Sequence, residues 1–159
     1  MPDSTPPRVL LVDDEEMVIT SIRAFLSLET DYEILAHTEP EEALRRLDEG
    51  PLDVIVTDYL MPRMTGLQLL AEAKKRQPEA ARVLLTGHAD KQSAIQAIND
   101  VGLYQYLEKP WDNAQLLLVI NSAIERTRLL RGLAQKVDEL DAAYGQLKEA
   151  QRRLIRAFL

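Results

Sequence analysis

Three carboxylates and one ammonium stand where apolar runs of this sequence stop. In the stretch DVIVTDYLMP (residues 53–62), Asp58 lies just beyond Val54-Ile55-Val56. The run Val9–Val12 ends in Asp13-Asp14, Val83–Leu85 ends in Thr86-Gly87, and Tyr104–Leu107 ends in Glu108-Lys109-Pro110. An ionised carboxylate at the end of a buried strand loses hydration that only a cation or several hydrogen bonds can replace. Three such groups brought together would repel one another unless positive charge sat among them. A hard divalent cation with oxygen ligands, Mg2+ above all, is the simplest neutraliser for Asp13, Asp14 and Asp58. With the Lys109 ammonium, the Thr86 hydroxyl and open backbone N–H groups added, the set suits a phosphoryl group carried by a carboxylate. Asp58 would attack phosphorus as the nucleophile. The cation, Lys109 and Thr86 would neutralise the equatorial oxygens of the transferring group.

Bringing these residues together requires a particular set of elements. The apolar runs Val9–Val12, Tyr32–Ala36, Val54–Val56, Val83–Leu85 and Tyr104–Leu107 predict five strands. Amphipathic stretches near Glu15–Leu28, Glu39–Leu47, Gly66–Arg76 and Lys91–Asp100 predict helices between them. This alternation specifies an α/β fold with a doubly wound parallel sheet, and the near-continuous apolar runs fit strands covered on both faces. With the flavodoxin-like order 2-1-3-4-5, ligands bind where the first and third strands diverge, at their carboxyl ends. Those ends carry Asp13-Asp14 and Asp58. Thr38…Glu41 (with Pro40 in the first turn), Thr65…Gln68 and Asp112…Gln115 have capping-box spacing at three helix starts. Gly50 and Gly102 mark helix ends that need a left-handed or extended residue. No G-x-G-x-x-G follows the first strand and no G-x-x-x-x-G-K-[ST] occurs, which argues against a dinucleotide and against a nucleotide P-loop.

Composition narrows the class further. The chain has 159 residues, 46% of them hydrophobic, which suits one domain and an appendage. It has no cysteine, and its two histidines, His37 and His88, are too few for an imidazole-built zinc site. The start MPDSTPPR lacks an apolar signal core, and no run reaches the roughly 18 apolar residues of a membrane span. A cytoplasmic protein with a disordered tail over residues 1–7 is expected. Residues 1–110 carry 20 acids against 11 Lys/Arg, an acidic body unsuited to sequence-independent nucleic-acid binding.

All eight prolines lie at or before Pro110, and beyond it the pattern changes. Leu130, Leu133, Val137, Leu140, Tyr144, Leu147, Leu154 and Phe158 follow 3- and 4-residue steps, with Gln151 in the one polar slot. This is a heptad seam, and it predicts a coiled coil. A helix from Asn113 to the C-terminus would be ~70 Å long at 1.5 Å per residue. Its leucine stripe is expected to form a homodimer interface, the alternatives being folding back onto the domain or pairing with a further segment. Gly132 and Gly145 each weaken the helix by roughly 1 kcal/mol.

The set Asp13-Asp14, Asp58, Thr86 and Lys109-Pro110, in this order and spacing, resembles the receiver domain of two-component response regulators. The resemblance covers residues 8–128, leaving 129–159 as a coiled-coil linker helix toward an output domain absent from this chain. It implies that Asp58 is phosphorylated by a histidine kinase. It also implies that Asp14, Asp58 and the Leu60 backbone carbonyl bind Mg2+ directly, with Asp13 acting through water. Lys109 would pair with the phosphoryl oxygens, and the Lys109–Pro110 bond would be cis. Tyr106 matches the aromatic that turns inward when Thr86 moves to the phosphoryl group. Leu60 and His88, two residues past Asp58 and Thr86, match positions that overlook the phosphoryl group. A leucine there hinders the attacking water and implies a long-lived phosphoaspartate. Trp111, the only tryptophan, is expected to pack at the root of the last helix and couple it to the site.

Plainer roles exist for the same residues. Asp13 could only cap the first helix, Thr86 could be a strand-end hydroxyl, Tyr106 a core aromatic and His88 a surface loop residue. Two other functions compete with a regulatory phosphoacceptor that is not an enzyme. A Mg-dependent phosphohydrolase with an aspartyl-phosphate intermediate would want an acid where Leu60 stands. A coiled-coil scaffold that is never phosphorylated would have no use for Asp13, Asp14, Asp58, Thr86 and Lys109 together.

Overall fold

Each central strand alternates its side chains between two apolar faces, and both faces are covered. A computed structural model describes residues 5–158, apart from the side chain of His88. The expectation for the 1–7 tail therefore falls partly outside the described residues, and Leu159 wholly so. The strands are β1 (Arg8–Val12), β2 (Glu33–His37), β3 (Val54–Asp58), β4 (Ala81–Thr86) and β5 (Gln105–Glu108). They form one parallel sheet in the order β2-β1-β3-β4-β5, the predicted order. The helices are α1 (Glu16–Glu29), α2 (Pro40–Arg46), α3 (Gly66–Arg76), α4 (Lys91–Asp100) and α5 (Asn113–Phe158), with a 3-10 turn at His88–Asp90.

The chain divides into two compact units, Met1–Thr127 and Arg128–Leu159. In the first, Val9, Leu11, Val54, Val56, Val83 and Leu85 form one core with Ile19, Ile22 and Leu26 of α1 and Leu116, Ile120 and Ala123 of α5. Leu10, Val12, Ile55 and Leu84 form the other with Leu69, Leu70 and Ala73 of α3 and Ala94 and Ala97 of α4. Burying each such valine, leucine or isoleucine stabilises the fold by about 1.5–3 kcal/mol, and a register slip of one residue would turn all of a strand's side chains to the opposite face.

The strands β2 to β5 run further toward their carboxyl ends than their apolar runs, while β1 ends with its run at Val12. Thr57 and Asp58 belong to β3 because the ladder continues through Thr57↔Leu84 and Asp58↔Leu85. Helix starts are mixed. At α3 the box is complete: the Gln68 N–H donates to Thr65 Oγ1 and the Thr65 N–H donates to Gln68 Oε1. At α5 Asp112 accepts from the Ala114 N–H, one residue earlier than the Gln115 spacing predicts. At α2 the expectation fails, because Glu39 is the N-cap and makes no side-chain cap. Glu41, the residue meant to reciprocate Thr38, instead faces Arg63 at 3.5 Å. Gly50 and Gly102 do adopt positive φ, 118° and 62°.

Two buried polar groups tie the sheet to its surroundings. Arg82 of β4 is buried, and its guanidinium donates to the carbonyls of Val101 and Gly102 at the end of α4 and of Pro78 and Ala80 before the strand. Burial pushes its pKa down from the ordinary arginine value, with Arg126 adding to the effect. Thr127 of α5 donates to the Asp53 carbonyl at 2.6 Å and accepts from the Ala81 N–H at 3.1 Å. The hydroxyl thus joins the helix to the starts of both β3 and β4.

In the second unit the helix carries Leu133, Leu140, Leu147 and Leu154, all more than half exposed. Among the described residues no helix is long and apolar enough to cross a membrane.

Replacing Thr127 by Val keeps the shape but removes the hydroxyl's bonds to the Asp53 carbonyl and the Ala81 N–H, which stay bonded to each other at 3.1 Å. The expected loss is about 0.5–1.5 kcal/mol, read as a lower urea midpoint with an unchanged slope.

Candidate functional site

Strand register builds the site. Val12 pairs with Thr57, so the next residues, Asp13 and Asp58, emerge side by side where β1 and β3 end. One carboxylate oxygen each from Asp13, Asp14 and Asp58 lies within 4.8 Å of the others. Asp13 is 0% exposed and Asp58 7%, while Asp14 faces solvent. Lys109 reaches them from beyond β5, its Nζ 3.0 Å from Asp58 Oδ1 and 3.6 Å from Asp13 Oδ2. Its backbone is fixed by an N–H bond to the Thr86 carbonyl at 2.7 Å, and the Lys109–Pro110 bond is cis.

The two buried acids are held differently. The polar contacts of Asp58 fall on Oδ1, which accepts from Lys109 and from the Tyr59 N–H at 2.9 Å. Asp13 Oδ1 accepts from the Glu15 N–H at 2.9 Å, entering α1 much as a cap would. Asp13 Oδ2 is buried and has no hydrogen bond. A cap needs only one oxygen, so the second is available to a cation or to water around one. The donor set is all oxygen, which suits a hard divalent ion.

Burial dominates the electrostatics. It pushes the Asp13 carboxyl up to about 6, helped by the Asp58 and Asp14 charges and opposed by the Glu15 N–H and Lys109. It also raises Asp58, against the Lys109 hydrogen bond and charge and the Tyr59 N–H. Burial alone would lower Lys109, but the hydrogen bond to Asp58 and the charges of Asp13, Asp58 and Glu15 outweigh it and raise its pKa.

The remaining expected residues lie around this cluster. The Thr86 hydroxyl is buried and donates to the Leu107 carbonyl at 3.5 Å, a long bond toward β5. Tyr106 is half-buried against the core on the α3 and α4 face. Trp111 packs on the opposite core, that of α1 and α5. The Leu60 side chain is 58% exposed. The side chain of His88 lies outside the described residues.

Gly66 escapes a reading based on side chains, because its contribution is the absence of one. A Cβ there would overlap the Asp58 carbonyl oxygen, and its N–H donates to the Tyr59 carbonyl at 2.8 Å. The loop after β3 therefore closes directly onto the backbone of Asp58. The signal was present in the sequence as a glycine at the first position of a well-capped helix, where propensity disfavours it.

The family model of the response regulator receiver domain matches residues 9–121. The chain belongs to this family. The hydrogenase transcriptional regulatory protein HoxA of Cupriavidus necator is 33% identical over 133 residues, covering 84% of this chain and 26% of HoxA. Across the curated relatives it matches first, the chain spans between 26% and 58% of their length. A receiver domain protein from Clostridium thermocellum superposes with a TM-score of 0.73 at 36% identity, covering 78% of this chain and 98% of that one. The structure titled adenylate cyclase from Rhodopirellula baltica gives 0.79 at 27% identity, covering 84% and 98%. The receiver fold and its membership of two-component systems are thus shown by both sequence and structure.

A carboxyl whose folded pKa is raised contributes stability below its unfolded pKa and loses it as pH rises through the folded one. The metal-free receiver should therefore unfold at lower temperature as pH rises from about 4 to about 6, between the ordinary carboxylate value and the folded value of Asp13. Thermal scans in chelator should show this slope, and Asp13→Asn should flatten it.

Proposed function

We propose that this receiver is a phosphorylation-dependent switch in which Asp58 accepts a phosphoryl group from a histidine kinase. The observation that carries the reading is Lys109 Nζ 3.0 Å from Asp58 Oδ1, beside an Asp13 oxygen that is buried without a hydrogen bond. Asp58 Oδ2, the oxygen not bonded to Lys109 or Tyr59, attacks phosphorus. A P–O bond forms as the P–N bond to the kinase histidine breaks, and the imidazole leaves with the electron pair. Asp14, Asp58 and the Leu60 carbonyl, with Asp13 through water, would hold Mg2+, which when bound neutralises the oxygens of the transferring group. Lys109, kept protonated by its acidic neighbours, pairs with a phosphoryl oxygen and holds the acceptor in place.

Thr86 is the second donor. Its hydroxyl exchanges a long bond to Leu107 for the phosphoryl group, and Tyr106 turns inward into the space vacated. The domain acts as a regulatory phosphoacceptor in the cytoplasm and turns over no separate substrate. Leu60, which overlooks the acceptor, has no proton to give a leaving group, and this weighs against a phosphohydrolase. Residues 8–128 form the receiver, and 129–159 form a coiled-coil helix that joins two copies. That helix passes the state of Asp58 to the dimer or to an output domain.

With a small-molecule phosphodonor and Mg2+, phosphoaspartate should form in the wild type and be lost in Asp58→Asn. It should be strongly reduced in Lys109→Ala, whereas label retained by Asp58→Asn would place the acceptor elsewhere. Leu60→Asn should shorten the phosphoaspartate lifetime several-fold, and wild-type decay that is no slower would remove the proposed role of Leu60.

A further inference from the structure

We infer that the tail pairs with a second copy of this chain as a parallel, in-register two-stranded coiled coil, and that Gln151 sets this register. The inference rests on the reading of residues 129–159 as a dimer helix and adds its orientation. On the heptad, Leu133, Leu140, Leu147 and Leu154 occupy every d position, and Val137, Tyr144, Gln151 and Phe158 occupy a positions. These d leucines are all exposed on the single chain, so the whole seam awaits a partner. Leucine throughout d and one polar residue at a match a two-stranded coil of fixed register.

Gln151 chooses the direction. In a parallel, in-register pair each a residue faces its own counterpart, so the two Gln151 amides meet. A carboxamide has both donor and acceptor atoms, and two of them satisfy each other across the seam. In an antiparallel pair with the leucine layers matched, a faces d, and Gln151 would lie against Leu140 of the second copy. Its amide would then be buried without a partner, the costly arrangement for a polar group.

The flanking charges agree with the parallel pair. Parallel packing sets a g residue against the e residue five positions further on in the other helix, which brings Lys136 to Asp141 on both sides of the twofold. On the single chain Lys136 makes an exposed contact to Glu139 at 3.4 Å, which is readily exchanged. An antiparallel pair would offer Asp141 to Lys148 instead. However, Lys148 already lies over the Tyr144 ring at 5.0 Å on its own helix. Charge alone is thus nearly neutral on direction, and the amide decides it.

The natural absence of cysteine makes the test direct. Full-length Leu133→Cys and Leu154→Cys variants, each treated with a short bis-maleimide, should each give a covalent dimer. An equimolar mixture of the two should give no mixed product. Mixed product alone would overturn the parallel register while leaving the dimer reading intact. Sedimentation of the untreated chain as a monomer, with and without Mg2+ and beryllofluoride, would remove the dimer reading as well. Gln151→Leu should tighten the dimer roughly tenfold or more and let the mixed product appear. If that variant keeps wild-type affinity and crosslinks only at matched positions, Gln151 does not set the register.

Discussion

One ammonium shared between two buried carboxylates is the interaction on which the rest of the site depends. Two acids within 4.8 Å repel by about 3 kcal/mol or more at an effective dielectric near 20, and burial adds a desolvation penalty to each. Lys109 offsets part of this from 3.0 and 3.6 Å, and the N–H groups of Glu15 and Tyr59 offset more. The raised pKa of both acids shows that the offset is incomplete. The receiver thus holds, at the carboxyl edge of its sheet, an acidic centre with unmet demand for positive charge.

Holding that centre together limits what the backbone around it can be. The parallel register puts Asp13 beside Asp58 only because three strands are covered on both faces. Gly66 must lack a side chain so that the loop after β3 can close on the Asp58 carbonyl. Glycine at a helix start costs about 1 kcal/mol of propensity, and the complete Thr65–Gln68 box supplies a comparable gain at the same turn. Packing at the site and capping at the helix are therefore matched locally.

Much of this was legible in the sequence, because apolar runs that stop at polar residues report both strands and the edge where they end. Asp13, Asp14, Asp58 and Lys109 converge as their spacing implies. What was not legible depended on partners distant in sequence. Thr38 and Glu41 have capping spacing, but Arg63 takes Glu41 away. Thr57 and Asp58 extend β3 because β4 continues the ladder, which no local propensity records. Gly66 leaves a trace in the sequence, a glycine at a capped helix start, but its contact with the Asp58 carbonyl and the bonds of Thr127 to the strand starts come from the fold.

Arg82 has a consequence for α4. The helix has no side-chain cap at its N-terminus and no basic residue in its last turn. Its negative pole is complemented instead by a guanidinium from β4, bonded to the carbonyls of Val101 and Gly102. The helix is thus anchored at the end remote from Thr86, while Ala94 and Ala97 pack on the sheet and its near end follows the short His88–Asp90 turn. A displacement originating at Thr86 would act on α4 as on a lever whose fulcrum is Arg82.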